Sequence, residues 1–106
     1  MCYPSTKVYV PIAKIERYLL NEKMEHYQNF ELAGYKSGDG YRLFRELERC
    51  YDKSKAFDFI YGIGYSQYSI LVVLGEYTFR TVWREDNISP LPRFVTAYID
   101  RRVSHE

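Results

Sequence analysis

Apolar positions recur at helical spacing in the first half of the chain and at alternate positions in the second. From Pro11, the residues Ile12, Ile15 and Leu19 fall on one side of a helix, and proline in the first turn lacks only an N–H that the helix leaves unbonded anyway. The pattern predicts a first helix over about residues 11–21. A second is expected over about 24–33, with Tyr27, Phe30 and either Leu32 or Ala33 turned inward and Gly34 as its C-terminal stop. Ser37-Gly38-Asp39-Gly40 is turn chemistry. Asp39 is placed to cap a third helix, about 40–51, whose apolar side carries Leu43, Phe44, Leu47 and Tyr51. Its other side holds Arg42, Arg45, Glu46, Glu48 and Arg49, for which a solvated face is the ordinary reading and a phosphate-binding patch the alternative.

After Lys55 the period falls to two. Phe57, Phe59, Tyr61 and Ile63 alternate with Asp58, Ile60 and Gly62, predicting a half-buried strand over about 56–63, and Gly64-Tyr65-Ser66 turns the chain. Residues 67–74 form a nearly continuous apolar and β-branched run, which suits a central strand covered on both faces. Gly75-Glu76 then occupies the place of a glycine-first hairpin turn leading into a third strand, about 77–84. Pro90 and Pro92 cannot donate to a ladder, so the last strand, about 93–99, begins after them. Three helices followed by four consecutive strands predict an α+β fold, an antiparallel meander with helices packed on one face. Alternation along the last strand assigns Val95, Ala97 and Ile99 to the core and Phe94, Thr96 and Tyr98 to the open face.

Length and composition narrow the class. At 106 residues, 46% hydrophobic and 27% charged, the chain suits one globular domain over 1–106, with 100–106 as a frayed tail. Fifteen basic residues against fourteen acidic ones leave a net charge of +1, so no overall field recruits nucleic acid or membrane. The longest apolar run, Ile70 to Leu74, is strand-sized, and Lys7 is followed by no apolar segment of the kind a secretory signal needs. Cys2 and Cys50 form neither a disulfide framework nor a metal-spaced set, and a cytoplasmic location is expected. The chain's excess is in tyrosine: twelve, beside six phenylalanines and one tryptophan. Such rings either enlarge a small core or form half-wet surfaces that meet partners or stack on bases.

Most motifs that carry chemistry are absent. Gly62 and Gly64 lead into a strand and lack the third glycine and helix of a dinucleotide fingerprint, and no Walker loop is present. Gly64-Tyr65-Ser66-Gln67-Tyr68 lacks the final glycine and the strand-to-helix setting of a nucleophile elbow. His26 and His105 have no cysteine pair at zinc spacing, so no metal or other cofactor is expected. What remains is polar residues on strands. Arg80, Thr96 and Tyr98 fall on neighbouring strands, where an arginine fork, a hydroxyl and a phenol hold a phosphate without a metal; cross-strand pairing is the alternative explanation. Every lysine or arginine after Lys55 is an arginine, namely Arg80, Arg84, Arg93, Arg101 and Arg102, which suits forked recognition of anions.

Four stretches carry a resemblance. Lys14 to Asn21 with its Tyr18-Leu19-Leu20-Asn21, Phe30 to Tyr35, Arg80-Thr81-Val82-Trp83 and Pro92-Arg93-Phe94-Val95-Thr96-Ala97-Tyr98 look like a small bacterial family, domain of unknown function 6883, over about residues 8–99. Its chains close on RTVW and PRxVTAYP. The architecture is similar to that of the barnase, colicin and RelE-type ribonuclease toxins, an analogy at the level of fold. Two departures stand out: His26 lies near the place where the family has a basic residue before the second helix's phenylalanine, and Ile99 replaces the closing proline. The resemblance implies a metal-independent ribonuclease in which His26, Arg80, Thr96 and Tyr98 are catalytic and Arg93, Arg84 and Trp83 contact RNA. Expected partners are RNA and an antitoxin or immunity protein, with the chain a monomer or small homo-oligomer and no membrane involved. The alternative is a non-catalytic module whose Tyr-rich sheet face binds another protein.

Overall fold

The computed structural model describes residues 8–25, 27–89 and 91–100. A short helix α1 (Ile12–Lys14) runs directly into a π-helical turn, Ile15–Leu19, and is followed by α2 (Tyr27–Leu32) and α3 (Gly40–Cys50). A 3-10 turn at Lys53–Lys55 leads to four strands, β1 (Phe57–Gly62), β2 (Tyr65–Leu74), β3 (Tyr77–Asp86) and β4 (Arg93–Ile99), hydrogen-bonded in sequence order as an antiparallel meander. The fold is α+β, with the helices preceding the sheet and covering one of its faces.

The first helix departs from a regular α-helix. The Leu20 N–H reaches back five residues to the Ile15 carbonyl at 2.9 Å. That widening turns Leu19 and Leu20 inward together with Ile15, and all three are buried. The chain then turns through Asn21 and Met24, so α2 begins at Tyr27, later than periodicity suggests; Ala33 is buried and Leu32 exposed. Asp39 stands before α3 without capping it. Its carboxylate accepts from the Lys36 N–H at 2.8 Å and from Arg42 at 3.1 Å. Glu16 takes the capping place, accepting the Gly40 N–H at 3.1 Å. A Cβ on Gly40 would fall 2.1 Å from that carboxylate, so the missing side chain at position 40 admits the long-range cap.

Between helices and sheet lies the core, where Phe30 packs on Phe79, and Trp83 meets both Tyr51 and Phe94 edge-on. Trp83 is fully buried, and its indole N–H donates to Thr81 Oγ1 at 2.8 Å while the Thr81 hydroxyl donates to the Ile70 carbonyl at 2.7 Å. Trp83 therefore presents no ring face to a base, and its expected role in RNA contact is corrected to one in the core. β2 is central in the sheet but covered on one face only: Tyr68, Ile70, Val72 and Leu74 are buried while Leu71 and Val73 are exposed. β1 is an exposed edge, not a half-buried strand, and it is bulged between Phe57 and Ile60 where Asp58 takes a φ of 54°. β2 starts at Tyr65, because the turn is Ile63-Gly64 with Gly64 at φ 78°.

A second irregularity changes the reading of β4. Trp83 pairs with Phe94 and Val82 with Thr96, so Val95 is the extra residue of a bulge. The bulge reverses parity at its start: Phe94 joins Ala97 and Ile99 in the core, and Val95 leaves it. The hairpin between β2 and β3 closes as expected on Gly75-Glu76, with Leu74 opposite Tyr77 and Gly75 at φ 62°. After β4, Asp100 is buried, and its N–H donates to the Thr78 carbonyl, so the ladder extends one residue into the expected tail. Residues 101–106, like His26 and Pro90, lie outside the described residues.

Candidate functional site on the open sheet face

The face of the sheet turned away from the helices carries alternate residues of each strand. On β3 these are Arg80, Val82 and Arg84; pairing places Tyr98 opposite Arg80, Thr96 opposite Val82, and Arg93 opposite Arg84. Arg80, Thr96 and Tyr98 therefore share one solvent-facing surface, as does the Arg84–Arg93 pair. Arg80, Tyr98 and Val82 line a shallow hollow of about 420 Å³ with Asp58, Gln67 and Ser69.

Arg80 is the best-fixed group there. Its Nε donates to Ser69 Oγ at 2.9 Å, one terminal nitrogen pairs with the Asp58 carboxylate, and the guanidinium lies 5.1 Å above the Phe57 ring. The bulge in β1 serves this arrangement, because the left-handed backbone at Asp58 swings its carboxylate toward β3. Arg80's side chain is only 17% exposed, so the guanidinium is held in place instead of sampling solvent. Tyr98 is 36% exposed, with its ring at the rim.

At the other end of the face, Asp86 organises the arginines. Its carboxylate accepts the Ile88 and Ser89 N–H groups, each at 3.0 Å, and pairs with Arg93 at 2.9 Å and Arg84 at 3.9 Å. Those bonds, the Ser89 N–H foremost, hold its carboxyl below the usual aspartate range. Arg84 lies 3.9 Å over the Tyr65 ring, and its Nε makes no hydrogen bond. Both arginines are thus engaged within the face, and each side chain stays more than a third exposed.

One cation near this face went unnoticed in the sequence. Lys14 and Thr96 line a second open hollow, about 620 Å³, together with Lys23, Tyr18 and Glu25. Burial and the nearby Arg93 charge lower the Lys14 pKa from its ordinary value. Lys14 reaches β4 because Tyr9 bridges to Arg93: the Tyr9 N–H donates to Pro92 O at 2.8 Å and the Phe94 N–H to Tyr9 O at 2.9 Å, so α1 starts beside this edge. The local signal was Lys14 flanking the buried stripe at Ile15; the parallel bridge that brings it to Thr96 is a long-range contact. His26 lies outside the described residues. Among the described residues no group of histidine, cysteine or acidic side chains has the arrangement of a metal site.

The tyrosines do not gather on this face. Tyr65 and Tyr98 belong to it, Tyr27, Tyr35 and Tyr68 are buried, and Tyr9, Tyr18, Tyr41 and Tyr61 are exposed elsewhere. On the helix side, Tyr51 and Tyr68 share a hydrogen bond at 2.6 Å, Tyr68 donates to Glu85 at 2.7 Å, and Lys53 closes the chain on Glu85 at 2.6 Å. Burial raises the Tyr68 phenol strongly, and the hydrogen bond from Lys53 lowers the Glu85 carboxyl. Among the described residues no helix is long and apolar enough to cross a membrane. Comparison of the chain with family models, with curated proteins and with solved structures finds no match in any of the three, so the geometry of its own residues carries the functional reading.

Proposed function

We propose that the chain is a toxin-like, metal-independent ribonuclease that binds a phosphodiester on the open sheet face and cleaves it by attack of the neighbouring 2′-hydroxyl. The observation that carries this reading is the pairing of Arg80 with Tyr98 across β3 and β4 in an uncovered hollow, with Thr96 continuing the line toward Lys14. Arg80, steadied by Ser69 and Asp58, turns its remaining N–H groups to the phosphate and neutralises charge that grows in the transition state. The 2′-oxygen bonds to phosphorus as the bond to the 5′-oxygen breaks, giving a 2′,3′-cyclic phosphate and a free 5′-hydroxyl. His26, or Lys14 in its neutral form, takes the 2′-proton; Tyr98 gives a proton to the departing oxygen. Thr96 orients the phosphate, and Arg84 and Arg93 steady the strand that runs past them.

The test is incubation of purified protein with total RNA in EDTA. Cleavage is expected, falling about a hundredfold in Arg80→Ala, the loss typical of one transition-state donor, and clearly in Tyr98→Phe. RNA left intact at every dose, or cut equally by both variants, removes the reading. A second reading rests on a different feature of the same face: Ile60 (56% exposed), Leu71 (40%) and Val73 (65%) form an apolar strip beside Arg80, and among the described residues no helix lies over it. In that reading the sheet contacts another protein. Light scattering after size exclusion separates the two, because a strict monomer that cuts RNA needs no such contact.

A further inference from the structure

On the helix side of the molecule a third open hollow, of about 620 Å³, lies between α3 and the β2–β3 turn and reaches the open face only at Val73. Arg42, Arg45 and Arg49 recur along α3 at intervals of three and four residues, which sets their side chains in one row while Leu43 and Leu47 face the core. Each guanidinium is already oriented. Arg42 lies 4.2 Å over the Tyr35 ring and donates to Gly34 O at 2.7 Å and to Asp39 at 3.1 Å. Arg45 donates to the Tyr41 hydroxyl at 3.1 Å, and Arg49 meets Glu46 at 3.5 Å. The Tyr41 ring, 59% exposed, stands among them beside the hollow.

We propose that this row is a binding site for single-stranded nucleic acid, separate from the open sheet face. Arg42 and Arg49 each pair with one carboxylate, Asp39 and Glu46, whereas the partner of Arg45 is a neutral phenol, so the row carries one guanidinium beyond its ion pairs although the whole chain is almost neutral. A groove of arginines that follows a phosphate backbone, with an exposed aromatic ring on which a base can stack, is the general design of strand binding without sequence readout. An acidic peptide would use the charges but leave the Tyr41 ring idle, and for that reason nucleic acid is the better-fitting ligand. The site extends the ribonuclease reading by giving the strand a second hold, yet it needs no cleavage and stands without it.

The probe is a fluorescein-labelled thymidine 12-mer of DNA, which lacks the 2′-hydroxyl and so cannot be cut by the proposed reaction. Anisotropy is followed against salt for the wild type, Arg45→Ala/Arg49→Ala, Tyr41→Ala and Arg80→Ala, each shown by circular dichroism to be folded. The double variant is expected to bind at least about tenfold more weakly at low salt, and to lose about 1.4 from the slope of log K against log salt, since each single-strand phosphate contact contributes about 0.7. Tyr41→Ala weakens binding severalfold, and Arg80→Ala, which removes the separate hold on the sheet face, weakens it less than the double variant does. The proposal is overturned by no binding in the wild type, by a double variant within twofold of the wild type, or by loss of binding in Arg80→Ala, which would locate the strand on the sheet face. Polyglutamate competing as well as unlabelled DNA would overturn it in favour of an acidic protein. Cleavage of RNA in EDTA, read separately, reports on the sheet face alone.

Discussion

Asp58→Asn tests the Arg80 clamp directly, because it removes one negative charge from the hollow while keeping the shape. Asparagine tolerates the left-handed backbone at position 58 nearly as well as aspartate. The Asp58 side chain is 52% exposed, so its pair with Arg80 stabilises the fold by no more than about 1 kcal/mol after solvent screening. Folding should hardly change, but an anion at Arg80 should feel the difference. If a phosphate sits about 7 Å from that carboxylate at an effective dielectric constant of about 60, the repulsion removed is about 0.8 kcal/mol, or about fourfold in affinity. Anisotropy with a 2′-deoxy-substituted RNA at low salt, in a protein already carrying Arg45→Ala/Arg49→Ala, isolates this face. Binding tightened threefold to fivefold is expected, with the gain shrinking as salt rises. Weaker binding would show that Asp58 positions Arg80 for the ligand instead of competing with it, and unchanged binding would place the phosphate elsewhere.

Other expectations concern the framework behind the site. Tyr68→Phe removes a hydroxyl bonded to both Tyr51 and Glu85; since both partners retain some access to water, the cost is about 1.5–2.5 kcal/mol, read as a drop of about 8–12 °C in thermal midpoint. Gly75→Ala places a Cβ 2.6 Å from the Ala33 carbonyl at a φ of 62°, and chemical denaturation should show a loss of about 2–3 kcal/mol. The Glu85 carboxyl is lowered on folding, so its contribution is complete above the unfolded value of about 4.3 and is lost as pH falls through the folded value; Glu85→Gln should flatten the acid limb of stability against pH. Trp83 is the single tryptophan and lies fully in the core, so its fluorescence should stay unchanged on titration with RNA, and strong quenching would contradict its burial.

The class and order of elements were readable because they follow from local periods: Leu43 with Leu47 on α3, and the alternation of β3, survive in the structure as buried stripes. What the chain pattern did not reveal are features made by contacts between distant segments. The bulge at Val95 reverses the facing of Phe94, and nothing in the run from Arg93 to Ile99 marks it, since every residue there is a competent strand former. Asp39 satisfies the local rule for a helix cap, but Glu16, from another helix, wins the position because Gly40 leaves room for it. Trp83 followed from strand parity only once Arg80 was known to face outward. The hydrophobic run of β2 suggested two covered faces, whereas the helices among the described residues cover one.

That uncovered face is also where the sequence and the geometry agree most closely. Arg80, Thr96 and Tyr98 were selected by residue type on neighbouring strands, and register brings them to one surface because the β4 bulge lies before Thr96, leaving the parity of Thr96 and Tyr98 as expected. Had the extra residue fallen between Thr96 and Tyr98, one of the two would point into the core. The same surface carries Ile60, Leu71 and Val73, apolar residues that a purely structural sheet would bury beneath a helix. A fixed arginine paired with a bulge-borne aspartate inside an apolar, open surface is costly to maintain for stability alone, because the left-handed backbone at Asp58 and the exposed aliphatic side chains both work against the folded state. The proposed function accounts for both: a ligand covers the strip and takes up the guanidinium, with an RNA base on Leu71 and Val73 and a phosphate at Arg80.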